Sequence, residues 1–252
     1  MAEDHQLETD TSGLDSFVEA RVDGLLSLGT VPPTEQLLAT ARSMPTVVAS
    51  GREPDLPCVD VVTGDDRVGA APGRRAPDRE RTHPHRPPRR NRARRELRAD
   101  GYSEQMRRHG LDEHIHIEVS DRSEEGDVRA AQALILSTPR PTAILANSDY
   151  AALITMSHAE STELTVPADL SVVGYDNSYL ARTGYIGLTS VDNNYVEMGR
   201  LAVQRLIAHR GPRRPSHRQR PRPHLAPPQD VRTALALKRL VEGAACQDFS
   251  FW

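Results

Sequence analysis

The first 70 residues alternate between short apolar runs and amphipathic segments. Residues 22–28 carry apolar side chains on both faces of an extended chain, which is typical of a buried parallel strand. Residues 46–49 and 59–62 repeat this pattern. Residues 34–43 have the period of a helix, and Thr34 is suited to cap its amino end. Strands that alternate with helices predict βαβ units and a parallel sheet.

In the second half, two apolar strands each run into a polar turn that carries a carboxylate. Residues 143–146 lead into Ser148 and Asp149, and residues 170–175 lead into Asp176. In an open α/β sheet, ligands bind outside the carboxyl ends of the strands. Two such ends with hydrogen-bonding side chains therefore predict a small-molecule site.

Several short motifs follow one another in this half of the chain. They are PTAILANSD at 141–149, VPADLSVVGYDN at 166–177, LTSV at 188–191 and MGRLA at 198–202. In kind, order and spacing they resemble the effector-binding domain of the LacI/GalR family of bacterial transcription regulators. The resemblance implies an α/β, two-lobed, periplasmic-binding-protein-like fold of type I with parallel sheets. It also implies that the chain senses a small, sugar-like effector.

The resemblance also indicates candidate ligand contacts. The segment 98–102 (RADGY) resembles a helix start at which the family uses an arginine to bind sugar hydroxyls or an anionic group, so Arg98 takes that role; a solvated arginine is the alternative. Asp176 would accept two sugar hydroxyls, or else would serve as a turn or N-cap aspartate. Ser148 stands where the family often has a ligand-contacting asparagine, and Asp149 would contact ligand or cap the following helix.

The resemblance also places domain boundaries. Residues 1–95 with 189–210 correspond to the N-terminal lobe of the sensor, and residues 96–188 to the C-terminal lobe. Residues 211–252 form an Arg- and Pro-rich tail with a short helix pattern. Family members open with a helix-turn-helix and hinge, whereas this chain starts inside the second strand–helix unit. We therefore expect an incomplete fold and no sequence-specific DNA binding from this polypeptide.

Residues 71–95 contain ten Arg and five Pro and have no large apolar side chain. The family has an apolar helix and a buried strand here, which this composition does not provide. Residues 211–228 have the same character, and the chain has one lysine, Lys238. We interpret both segments as products of compensated frameshifts in a GC-rich gene. The alternative is a pair of genuine basic arms that hold nucleic acid through phosphate contacts.

Composition excludes several other classes. Cys58 and Cys246 form neither a disulfide framework nor a metal cluster, which favours a reducing compartment. No signal-peptide pattern and no membrane-length apolar run is present, so we expect a cytoplasmic chain that contacts no membrane. His114 and His116 alternate as on a half-exposed strand and lack a third metal ligand. We find no nucleophile elbow or phosphate loop, and expect neither catalysis nor a cofactor.

These observations together predict the ligand-sensing domain of a LacI-type repressor. The expected partners are a small-molecule effector, a second copy of the chain as in intact relatives, and operator DNA only through a DNA-binding head that this chain lacks. A stand-alone sugar-binding protein, a poorly stable non-functional fragment and a basic nucleic-acid-associated protein remain alternatives.

Overall fold

The computed structural model describes residues 14, 16, 19–29, 34–49, 58–70, 94–121 and 123–208, and the backbone of 218–219, 224–226 and 249–251. The elements are β1 (Leu25–Leu28), α1 (Glu35–Ser43), β2 (Thr46–Ala49), β3 (Val59–Val62), α2 (Asp66–Gly69), α3 (Arg94–Arg108), a 3₁₀ turn (Asp112–His114), β4 (His116–Ile117), α4 (Glu124–Ile135), β5 (Ala143–Leu145), α5 (Asp149–Ser161), β6 (Ser171–Tyr175), β7 (Thr189–Asp192), α6 (Tyr195–Ala208), β8 (Arg218–Gln219), β9 (His224–Ala226) and β10 (Phe249–Phe251).

These elements form two compact units. The first contains Met1–Gly64, Arg89–Asn91 and Tyr195–Pro221, and the second contains Asp65–Pro88, Arg92–Asn194 and Arg222–Trp252. Most of residues 71–95 lies outside the described residues, as does the helix pattern of the tail. The frameshift and basic-arm interpretations of residues 71–95 therefore stay predictions.

The first unit is a parallel sheet in the order β1-β2-β3-β8. One face packs against α1 through Leu37 and Ala41, and the other packs against α6 through Met198 and Ala202. Thr34 caps α1 as expected, since its hydroxyl accepts a hydrogen bond from the Leu37 amide at 3.2 Å. The predicted strands at 46–49 and 59–62 are confirmed, while the first strand is shorter than expected and begins at Leu25.

The second unit is a sheet in the order β4-β10-β5-β6-β7-β9, parallel throughout except that β9 runs antiparallel to β7. One core lies on the side of α4 and α5, where Leu134 and Ala152 pack with Val172 of β6. A second core lies around Tyr102 of α3 and Tyr175 of β6. The α/β fold class with parallel sheets is thus confirmed.

The structure divides the chain at residues other than those we expected. We placed 189–210 in the first lobe, but Thr189–Asp192 pairs with β6 and belongs to the second unit, so the change of unit falls at Tyr195. Residues 65–70 also belong to the second unit, because α2 packs tightly on α3. The chain of the second unit is therefore longer than the predicted 96–188.

Two further expectations need correction. The tail 211–252 was expected to be Arg- and Pro-rich with a short helix pattern, yet it supplies β8 to the first sheet and β9 and β10 to the second. The histidine pair does not share a strand, because His114 closes the 3₁₀ turn and only His116 lies in β4. Among the described residues no group of three His, Cys, Asp or Glu side chains could hold a metal ion. No helix in the described part of the chain is long and apolar enough to cross a bilayer.

Candidate functional site

The candidate residues gather at the carboxyl ends of β5, β6 and β7. These strands are parallel neighbours, so their ends meet at one edge of the second sheet. Ser148 and Asp149 follow β5, Asp176 follows β6 directly, and Asn193 follows β7 directly. All of these residues lie in the second unit, as does Arg98 of α3.

Arg98 is a buried cation that is held on several sides. Its Nε donates to Asp66 Oδ1 at 2.8 Å, and its Nη1 donates to the Asn147 carbonyl oxygen. The guanidinium carbon lies 3.6 Å from the centre of the Tyr175 ring, within the range of a cation–π contact. The side chain is 8% exposed, which rules out a solvated arginine.

The charge on Arg98 is stabilised by its neighbours. Burial acts to lower the pKa of Arg98, but the negative charge of Asp66, with contributions from Tyr175 and Asp176, more than offsets it, and the pKa is raised. A buried charge is tolerated when it is paired and hydrogen-bonded. Arg98 thus stays cationic and fixed in one orientation.

Asp176 is the most accessible carboxylate of the cluster. Its side chain is 33% exposed, and its Oδ1 accepts a hydrogen bond from Asn193 Nδ2 at 2.7 Å and lies 3.5 Å from Arg98 Nη2. Its backbone amide donates to the Val191 carbonyl oxygen at 2.9 Å, and its φ of 101° is left-handed. Asp176 therefore occupies a turn and caps no helix among the described residues, and a hydrogen bond from Asn193 and the charge of Arg98 orient its carboxylate.

Ser148 caps α5. Its hydroxyl accepts a hydrogen bond from the Ala151 amide at 3.1 Å, so Ser148, and not Asp149, is the N-cap of this helix. Ser148 is partly exposed, and a hydroxyl that accepts from the backbone keeps a proton that it can donate.

Asp149 is buried beneath the turn that follows β6. Its Oδ2 accepts a hydrogen bond from the Ser178 amide at 2.6 Å, and its Oδ1 accepts one from the Ser190 hydroxyl. Burial raises the pKa of Asp149 despite these hydrogen bonds from Ser190 and Ser178, and the nearby Asp176 carboxylate raises it further. Both oxygens of Asp149 thus bond to the protein itself.

The sequence did not reveal two members of the cluster. Asp66 lies 32 positions before Arg98 in the chain, and nothing in the local pattern indicates that the two pair. Asn193 could have been predicted from the sequence, because it is a polar residue directly after the β7 strand. The same arrangement identified Asp176 as a candidate.

Comparisons with known proteins identify the family to which this fold belongs. A family model described as "Periplasmic binding protein-like domain" matches residues 83–229. The HTH-type transcriptional repressor CytR of Escherichia coli (strain K12) is 28% identical over 221 residues, which is 81% of this chain and 60% of the relative. The Ribose operon repressor of the same strain is 35% identical over 112 residues, which is 44% of this chain and 34% of the relative.

A solved structure of a LacI transcriptional regulator from Rhodococcus species has a TM-score of 0.71 and 25% identity, and the match covers 87% of this chain and 81% of that one. These relatives are named as transcriptional regulators and not as enzymes. The chain spans about 60% of the length of CytR. Since the family model matches residues 83–229 of 252, the chain belongs to the periplasmic binding protein-like domain family, in the group that includes the LacI-type transcriptional regulators.

Proposed function

We propose that this chain is the effector-sensing part of a LacI-type transcriptional regulator and that it binds a small, neutral, sugar-like molecule. The observation that carries the proposal is the pairing of a fixed cation with a partly exposed carboxylate, Arg98 Nη2 lying 3.5 Å from Asp176 Oδ1 at the carboxyl end of β6. A vicinal diol offers both donors and acceptors, so it can donate to the carboxylate while it accepts from a guanidinium.

Ser148 extends this proposed site towards β5. Its hydroxyl proton provides a further donor for a sugar oxygen, while its own oxygen remains occupied by the Ala151 amide. The Ribose operon repressor among the relatives points to ribose as the first compound to test. In the whole protein, we propose, effector binding shifts the balance between two conformations of a homodimer that contacts operator DNA through another segment. A ligand does this only if its affinities for the two states differ.

The test is isothermal titration calorimetry of the full chain with D-ribose, cellobiose and a panel of neutral pentoses and hexoses. We expect saturable binding of at least one sugar. Asp176→Asn and Arg98→Lys each remove or alter a hydrogen bond to a charged group, which is worth about 1.5–3 kcal/mol, so affinity falls about tenfold or more.

Asp112→Asn is the matched control. Asp112 is an exposed carboxylate of the same unit, with its nearest described cation, Arg107 Nε, at 3.9 Å, so its loss leaves affinity unchanged. Thermal unfolding of each variant shows whether it is folded. The proposal fails if the folded chain binds none of the neutral sugars, or if Asp176→Asn and Asp112→Asn have the same effect.

A further inference from the structure

A buried polar network lies under the turn that carries Asp176. At its centre is the Asp149 carboxylate, the first residue of α5, which is 2% exposed. One oxygen accepts from the Ser178 amide in the loop after β6, and the other accepts from the Ser190 hydroxyl of β7. A single carboxylate thus connects a helix, a loop and a strand.

Ser190 connects Asp149 to Asn177 of the turn. Its oxygen accepts a hydrogen bond from the Asn177 amide at 2.9 Å while its proton is directed to Asp149. A hydroxyl that donates to a carboxylate becomes a better acceptor, because hydrogen bonds in a chain polarise one another. The network therefore holds the amides of Asn177 and Ser178, the two residues that directly follow Asp176.

The backbone of this turn needs such support. Asp176 has a φ of 101° and Asn177 a φ of 47°, both in the left-handed region that residues other than glycine adopt rarely. Such conformations persist where the surrounding structure fixes them. The side chain of Asn177 adds a further hydrogen bond that holds the turn, since its Nδ2 donates to Asp192 Oδ2 at 2.9 Å.

The neighbouring strand leaves room for the carboxylate. A Cβ atom at Gly174 of β6 would lie 2.4 Å from Asp149 Oδ1, far inside normal contact. The absence of a side chain at this position is therefore a condition for Asp149 to reach Ser190. The space at Gly174 is an observation independent of the hydrogen bonds. It indicates that the sequence of β6 leaves room for the Asp149 carboxylate.

We infer that Asp149 and Ser190 are positioning residues that hold the turn of Asp176 and Asn177 in its ligand-binding conformation. Asp149 acts through the turn and does not touch the effector, which replaces its candidate role as a ligand contact. This inference rests on the proposed function of Asp176 as an effector-binding residue.

The test combines amide hydrogen exchange by NMR with D-ribose titration of the full chain. We expect protection of the Asn177 and Ser178 amides to fall in three variants: Ser190→Ala, Asp149→Asn and Gly174→Ala. The expected fall is about tenfold or more, which corresponds to about 1.4 kcal/mol. Ribose affinity falls with it, although Asp176 and Arg98 are intact. Ser161→Ala is the control, because within the described residues its exposed hydroxyl bonds only the local His158 carbonyl oxygen of α5, at 2.7 Å; we expect it to change neither quantity.

Each other outcome has a distinct meaning. Unchanged protection of both amides in folded Ser190→Ala overturns the positioning role, whatever ribose does. Reduced protection with unchanged ribose affinity also overturns it, because the turn geometry would then be irrelevant to binding. If the wild-type chain binds no sugar while the variants lose protection, the proposed function fails and the hold of Asp149 on the turn stands.

Discussion

At the scale of single residues, the proposed site is centred on Arg98, a cation that the protein itself holds in one orientation. Arg98 is held by Asp66, by the Asn147 carbonyl oxygen and by the Tyr175 ring. Removing one partner of a buried pair leaves an uncompensated charge and costs about 3–5 kcal/mol. A guanidinium that is already ordered loses little further freedom on binding, and such preorganisation favours affinity.

The raised pKa of Asp149 predicts a pH-dependent stability difference. Burial makes the folded state bind this proton more tightly than the unfolded state, so the stabilising contribution is complete below the ordinary aspartate pKa and is lost as pH rises through the folded value. Relative to Asp149→Asn, the wild-type chain should therefore be more stable at acidic pH than at neutral pH. Urea unfolding of both chains from the ordinary aspartate pKa to pH 7 measures this difference.

Carboxylates that do not interact with Asp149 titrate alike in the two chains, so their contribution cancels in that comparison. A difference that is constant with pH, or that grows in favour of the wild type towards neutral pH, contradicts the prediction. Such a result would mean that the hydrogen bonds from Ser190 and Ser178 outweigh burial.

The sequence predicted the positions of the site better than the roles of its residues. The strand ends placed Ser148, Asp149 and Asp176 together without any structure. The sequence could not show that Ser148 is the N-cap of α5. Serine and aspartate are both good N-cap residues, and the choice between Ser148 and Asp149 depends on the backbone angles after β5. The sequence could not find Asp66, because pairing across 32 positions is a tertiary contact.

At the scale of elements, the approach of α2 to α3 sets the position of Arg98. A Cβ atom at Gly101 of α3 would lie 2.1 Å from the Arg67 carbonyl oxygen of α2, so the two helices touch backbone to backbone. Gly101 is one turn from Arg98, and Asp66 is next to Arg67. The contact therefore brings the two charged partners into register.

Gly101→Ala should separate these helices and weaken the Arg98–Asp66 pair. An alanine in a helix interior is favourable by about 1 kcal/mol on intrinsic propensity, but the steric clash with backbone outweighs this, and we expect a net loss of about 1–3 kcal/mol. Urea unfolding measures it. Gly199→Ala in α6 is the control, since nothing described lies within 4 Å of its added Cβ, and it should be neutral or stabilising.

The two short valine-rich strands of the first unit were predicted most closely. The strands at 46–49 and 59–62 match residue for residue, because β-branched side chains that are buried on both faces leave little choice of conformation. The strands β8 and β10 were not predicted. β8 lies in an Arg- and Pro-rich stretch with no alternating pattern, and a three-residue strand such as β10 takes its place from its neighbours and not from its own sequence.

At the scale of the whole molecule, both sheets recruit strands from distant parts of the chain. β10 pairs in parallel with β4 on one side and with β5 on the other, so it occupies an interior position of the second sheet. Parallel strands that are neighbours in a sheet need a long connection between them. Their backbone hydrogen bonds therefore join residues that are far apart in the sequence.

Removing residues 249–252 should destabilise the second unit. The deletion takes β10 out of the sheet and leaves facing edges of β4 and β5 without its backbone hydrogen bonds. Each such bond contributes about 1 kcal/mol, so we expect a loss of about 3 kcal/mol or more. Thermal unfolding compares the shortened chain with wild type. Equal midpoints for the two would show that β10 contributes nothing.

The interior position of β10 also bears on how the chain is made. Synthesis proceeds towards the carboxyl end, and β5 leaves the ribosome about a hundred residues before Phe249. During that interval the helices and strands between them can form, but the gap between β4 and β5 stays open, with apolar side chains and unpaired backbone available to other molecules. We therefore expect the facing edges of β4 and β5 to stay open to non-native contacts until β10 has left the ribosome.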